Sequence, residues 1–340
     1  MNRLLVSNGL ILDPVTHSVK TSNVYIADGN IIAIDHAPAG FEADRSIDAS
    51  GLIISPGLVD LSARLREPGL DFKADIHSEV TAAASAGITT LCCPPDTDPV
   101  IDEPAVVELI HHKAANAAHT HVVTLGALTR GLEGHLLSEM ATLKAAGCVG
   151  VSNSRRPVAN TLILRRAYSY AASCGITLFI EPDEHWLSTG GCAHDGKVAT
   201  RLGLQGIPVS AETVAISRAL ELILETGARA HFGRLSSAHG VELIRRAKER
   251  GMAITADVSA HQLFLSEMDI NSFNSMCHVL PPLRSQRDME ALREAVKDGV
   301  IDAICSDHQP HEPDAKQAPF ASTEPGISSL ETLLPLTLRL

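Results

Sequence analysis

Residues 241–258, VELIRRAKERGMAITADV, decide the fold. In the first half, Val241, Ile244 and Ala247 recur at helical spacing, and Arg245, Arg246, Lys248 and Glu249 lie mostly off that face. Gly251 then stops the helix, because glycine tolerates the left-handed conformation that closes one. A nearly continuous apolar run follows at once, as expected of a parallel strand covered on both faces. The same junction recurs outward along the chain. Gly87 precedes ITTLCC, Gly147 precedes CVGV, Gly175 precedes ITLFI, Gly227 precedes ARAHF and Gly299 precedes VIDAICS. Helix starts are marked by Asp102 before EPAVVELI, with Pro104 in the first turn, and by Ser285 before QRDMEALREAV, with Asp288 three residues on. Adding PGLVDLSARL (56–65) and HVVTLGAL (121–128) gives eight strands alternating with helices, which predicts an α/β fold, a (β/α)8 TIM-type barrel over 55–340. An open doubly wound sheet is the alternative, but no GxGxxG turn supports it.

Residues 1–54 have a different texture. LLVSNGLILD, NVYIADGNIIAID and SIDASGLIIS are short apolar or alternating runs, with turn signals at Asn8-Gly9 and Asp28-Gly29-Asn30. They predict a small N-terminal β module, part of a β-sandwich. The chain ends at LPLTLRL, so the C-terminal strands that would complete this module are expected to be absent.

The 340 residues carry 40 Asp plus Glu against 28 Lys plus Arg, a net charge of −12, which argues against a nucleic-acid or anionic-membrane surface. The seven cysteines include no CxxC pair, and Cys92, Cys93, Cys148 and Cys305 sit in apolar runs, as expected of reduced thiols in the cytoplasm. Neither a signal peptide nor a membrane span is expected.

Barrel active sites lie at the C-terminal ends of the strands. Those ends read Ser62-Ala63-Arg64, Ser152-Asn153-Ser154-Arg155, Ile180-Glu181-Pro182-Asp183, His231-Phe232-Gly233-Arg234 and Ser306-Asp307-His308-Gln309-Pro310-His311. Strand alternation places 62 and 64 on one side and turns His231 away from the side of Arg234. Arg155-Arg156 and Arg165-Arg166 are expected to be solvated pairs, and His111-His112 a solvated helix face.

The segments PGLVDLSARLREPG, AGITTLCCPPDTDPVID, TGARAHFGRLSSAHGVELIRRAKERG, ADVSAHQL, LPPLR, SDHQPH and PGISSLET together resemble dihydroorotases of the amidohydrolase superfamily. REPG at 66–69 and DHxPH at 307–311 are the most specific. The resemblance implies a metal centre, with His-x-His after the first strand, an Asp pair after the fourth, and His after the fifth and sixth. This chain departs at each of these positions, with Ser62 and Arg64, Asn153 and Ser154, Glu181, and Arg234. Only the acid of the last strand, Asp307, remains, as a vestigial catalytic residue. No lysine near Asn153 offers a carboxylated bridge. The resemblance also implies that Arg66 and His311 are vestigial substrate contacts, that His261 matches a family position, and that Asp96 and Leu280 replace expected asparagines. An ion pair from Arg66 to Glu67 or Asp96 is an equal reading of that arginine. His308 and His311 are expected to serve packing and hydrogen bonding.

Zinc needs imidazole, thiolate or carboxylate donors, usually three or four together, and a guanidinium has no lone pair to offer. The expectation is therefore a pseudoenzyme with no metal and no other cofactor. The resemblance implies a noncatalytic partner of the aspartate carbamoyltransferase catalytic chain, in a hetero-oligomer of pyrimidine (UMP) biosynthesis. Two rivals remain open: a divergent mononuclear hydrolase acting on dihydroorotate, hydantoin or allantoin, and a metal-free protein that binds a carboxylate through Arg66 and His311. A different metal set of His231, Asp307 and Glu181 is the least favoured. The two arginines are expected to replace the charge of the metals and to neutralise Asp307 and Glu181.

Overall fold

The structure is a computed structural model that describes residues 2–117 and 119–340. It divides into two compact units, Met1–Leu58 and Val59–Leu340.

The first unit is a five-stranded sheet. Strands β1 (Arg3–Asp13), β2 (Ser18–Ala27) and β3 (Asn30–Ile34) form an antiparallel meander, and β4 (Arg45–Asp48) and β5 (Ile53–Ile54) pair parallel with β1. Asp28 and Gly29 both have positive φ, so the β2–β3 hairpin turns at the expected residues. Asn8-Gly9 is not a turn. β1 runs straight through it, with an irregularity in the register between Val6 and Gly9 and Asn8 at φ 62°. The pair marks a bulge, which uses the same left-handed residues as a tight turn.

The second unit is an eight-stranded parallel barrel. Its strands are β6 (Leu58–Asp60), β7 (Ile88–Cys93), β8 (His121–Ala127), β9 (Gly150–Ser152), β10 (Thr177–Ile180), β13 (Ala230–Phe232), β14 (Ile254–Ser259) and β15 (Ala303–Cys305), paired in that order. Closure comes just past β6 and β15, where Ala63 bridges His308. The His308 amide donates to the Ser62 carbonyl at 3.1 Å, and the Arg64 amide donates to the His308 carbonyl at 2.9 Å. Between β10 and β13 lies a small two-stranded sheet, β11 (Ala193–His194) with β12 (Gly206–Ile207), which sequence periodicity did not anticipate.

The helices on the barrel wall are α1 (Ile76–Ser85), α2 (Pro104–Ala117), α3 (Met140–Ala145), α4 (Thr161–Cys174), α7 (Val209–Thr226), α8 (Ala238–Glu249) and α9 (Gln286–Lys297). The short α5 (His185–Ser188) and α6 (Lys197–Leu202) lie between β10 and α7, and α10 (Leu333–Thr337) follows the last strand. All six junction glycines have positive φ, and Gly175 and Gly227 are left-handed caps of α4 and α7. Ser285 caps α9 in a full capping box with Asp288. The core lies between helices and strands, with Ile216 and Ile223 of α7, Ile244 of α8 and Leu292 of α9 packed over Leu178, Phe232 and Val258. Each such buried side chain contributes about 1.5–3 kcal/mol.

Candidate functional site at the barrel mouth

The strand ends bring residues from five distant parts of the chain into one buried cluster. Arg64, just beyond β6, donates from Nε to Asp96 Oδ2 at 2.8 Å, and its Nη atoms lie 3.9 Å from both Glu181 and Asp307. Arg234, just beyond β13, donates to Asp307 Oδ1 at 2.7 Å and forms an ion pair with Glu181. Arg234 is 3% exposed and Asp307 1%. Two guanidiniums thus hold three carboxylates. Burial acts against the Asp96 carboxylate, but the adjacent Arg64 outweighs it and holds Asp96 below its ordinary value. Burial likewise opposes the charge on Arg64, and Asp96 and Asp307 overcome it.

The backbone aims these groups. Arg66, Ser154, Arg234 and Asp307 all have φ between 49° and 64°, a region that costs a non-glycine residue about 1–3 kcal/mol. At Arg234 the turn is pinned by its own amide, which donates to Asp257 Oδ1 at 2.6 Å. Asp257 also meets His231 Nε2 at 2.8 Å, and Thr255 meets the other ring nitrogen at 2.8 Å. His231 is therefore fully used inside the barrel, away from Glu181 and Asp307. Burial opposes the Asp257 charge, but His231 and Arg234 together outweigh it and lower its pKa.

Asn153 faces away from any metal role. It accepts from Thr129 Oγ1 at 2.7 Å and donates to the carbonyls of Leu132 and Arg156, so it ties down loops. Ser62 contributes its carbonyl to barrel closure. His261 is buried, with neither ring nitrogen hydrogen-bonded to a protein group among the described residues, and burial followed by the Arg234 charge lowers its pKa. Arg66 makes neither of its expected ion pairs. It donates to the Pro310 carbonyl at 2.9 Å and meets His311 Nε2 at 3.1 Å, because Arg64 holds Asp96 and Lys113 holds Glu67. Lys73 and Glu324 complete the surroundings of His311, whose pKa is lowered to about 4 by burial and then by Arg66.

Several partners were not evident from the sequence. Glu79 of α1 accepts from His308 Nε2. The Ser329 amide donates to His308 Nδ1 at 3.0 Å, which fixes the proton on Nε2. Asp60 accepts from the Ser306 amide and hydroxyl, and burial raises its pKa to about 6. Arg155 is not solvated as its sequence neighbourhood suggested, since it folds inward onto Asp183 at 3.0 Å. Arg165 does lie at the surface, paired with Glu225. His111 is half-buried, 3.4 Å from Thr124, and only His112 faces solvent.

The donor chemistry does not fit a divalent-metal centre. Glu181 and Asp307 are the remaining carboxylates at the implied positions, and both are taken up by Arg234. A guanidinium held among them can neither ligate nor tolerate an adjacent cation. Among the described residues, no group of three His, Cys, Asp or Glu side chains is arranged to hold a metal.

The dihydro-orotase-like family model matches residues 51–239. A dihydroorotase-like protein of Pseudomonas aeruginosa is 50% identical over 330 residues, covering 97% of this chain and 78% of the relative. A dihydroorotase of Geobacter sp. is 40% identical over 337 residues, covering 99% and 79%. Among solved structures, the L-hydantoinase of Arthrobacter aurescens superposes with a TM-score of 0.87 at 24% identity, covering 99% of this chain and 77% of that one, a likeness of fold.

Proposed function

Because the chain belongs to the dihydroorotase-like family, we propose that it is a catalytically silent member, a structural subunit supporting the assembly of aspartate carbamoyltransferase in pyrimidine biosynthesis. The observation that carries the silence is Arg234 on both Asp307 and Glu181, with Arg64 beside it on Asp96. Hydrolysis of a cyclic amide on a metal centre needs a bound water of lowered pKa and a Lewis acid on the carbonyl. This cluster supplies fixed cations in their place, and they have no open coordination position. Asp307 is locked in an ion pair and also accepts from Gln309 at 2.9 Å, so it is not free to take a proton from water. The choice of partner rests on the family resemblance, and the seven free cysteines favour the cytoplasm. No helix among the described residues is long and apolar enough to cross a membrane.

The test is co-expression with the transcarbamoylase catalytic chain, followed by size-exclusion chromatography, zinc analysis and a dihydroorotate hydrolysis assay. The expected result is co-elution with substoichiometric zinc and no turnover. Stoichiometric zinc with turnover overturns the silent reading in favour of a cyclic-amide hydrolase, and separate elution overturns the choice of partner.

A further inference from the structure

A cavity of about 90 Å3 lies beside the barrel mouth, lined by residues of β9, β10, α4 and α7 and the loops between them. Val151, Leu164 and Phe179 give it an apolar wall. Two polar groups that line the cavity have hydrogen-bonding capacity left unused by the described residues. Tyr168 of α4 is 3% exposed and lines the cavity, and no protein group among the described residues hydrogen-bonds its hydroxyl. Arg218 of α7 donates from Nη2 to the Val158 and Ala159 carbonyls, while its buried Nε has no partner among the described residues.

The charges around the cavity sharpen this. Arg155 is paired with Asp183, and Glu181 with Arg234. Glu184 lines the cavity but makes no ion pair with Arg218. Arg218 is thus a partly buried guanidinium with no carboxylate in ion-pair distance among the described residues. A guanidinium nitrogen shut off from solvent is ordinarily hydrogen-bonded, and so is the hydroxyl of a tyrosine whose side chain is almost wholly covered. Both deficits are met by one guest, an anion whose oxygens accept from Arg218 and Tyr168. Burial raises the Tyr168 pKa, so the phenol stays a donor.

We propose that this cavity is a binding site for a small aliphatic carboxylate, with the carboxylate on Arg218 and Tyr168 and the alkyl tail against Phe179. Size limits the tail. A cavity of about 150 Å3 is what encloses benzene, so the smaller space here suits a chain of two to four carbons better than a ring. The site adjoins the Arg64–Arg234 cluster through Glu181, which lines it, while neither of those arginines does.

The chain carries its own reporter. Trp186, its sole tryptophan, lines the cavity and is 62% exposed. Titration of the whole protein with sodium propionate, against sodium chloride at equal ionic strength, is expected to change Trp186 fluorescence saturably and raise Tm. Arg218→Gln is expected to weaken binding about tenfold or more, as loss of a charge-assisted hydrogen bond does. Tyr168→Phe, which removes only a hydroxyl, is expected to weaken it several-fold and decides the matter if Arg218→Gln does not fold. The proposal is overturned by a propionate response no different from chloride, or by unchanged affinity in the folded variants.

Discussion

Arg234 shows how much one side chain can decide. It replaces an imidazole implied at that position and places a permanent cation between Glu181 and Asp307. Removing one partner of a buried ion pair strands the other, at a cost of about 3–5 kcal/mol. Arg234→Ala should therefore lower stability by that order, and Arg64→Ala by less, because Asp96 keeps more contact with solvent. In a double-mutant cycle, Asp307→Asn should recover part of the Arg234→Ala loss, as read by urea unfolding. If neither arginine variant lowers the midpoint, the charge-replacement reading is wrong. The residue scale also shows where sequence reading stopped. That Arg64 and Arg234 cannot be ligands follows from their chemistry alone, whereas their partners Asp96 and Glu181 had to be placed by the fold.

Elements were legible where the signals were local. Ser285 and Asp288 close a reciprocal cap on α9, with Ser285 Oγ meeting Asp288 Oδ2 at 2.5 Å. Ser285→Ala should cost about 1 kcal/mol, visible as a lower urea midpoint with unchanged slope. An unchanged midpoint would show that the Asp288 contact to the Ala238 amide at 2.9 Å suffices to hold this end. The six glycine junctions were readable for the same reason, since a left-handed cap is a property of one residue and its neighbours. Asn8-Gly9 misled because a bulge and a hairpin ask for the same backbone, and only the pairing partner across the strand distinguishes them. The β11–β12 pair escaped notice because two-residue strands carry no period.

At the scale of the whole molecule, buried titratable groups set the acid stability. His278 lies buried against Thr323, and burial followed by the Lys316 charge lowers its pKa to about 4. His311 is lowered to about 4 as well. An unfolded histidine titrates near 6.5, so between these values the unfolded chain binds more protons and stability falls as the pH falls. Asp60 works in the opposite direction. Its folded pKa of about 6 lies above the unfolded value, so its share is present at low pH and lost as pH rises through about 6. His261, His194 and His111 are lowered as well, so the lowered histidines outnumber the raised carboxyls Asp60 and Glu212 and acidification is destabilising. Tm should drop between about pH 6.5 and 4.5, and His278→Gln should flatten the profile. A slope unchanged in that variant would remove His278 from the account.

The sequence by itself determined the barrel, because alternating helix and strand periods and their glycine stops are encoded within stretches of a few residues. It also determined that Arg64 and Arg234 cannot ligate a metal, because that depends only on which atoms a side chain carries. Tertiary structure alone decided what fills the mouth. Arg64, Asp96, Glu181, Arg234 and Asp307 are far apart in the chain, and only barrel closure brings their charges within ion-pair distance. It also decided that Arg155 turns inward to Asp183, that Arg66 leaves both neighbouring acids, and that Arg218 lines a cavity beside the mouth. Electrostatic pairing falls off with distance in space and takes no account of distance along the chain.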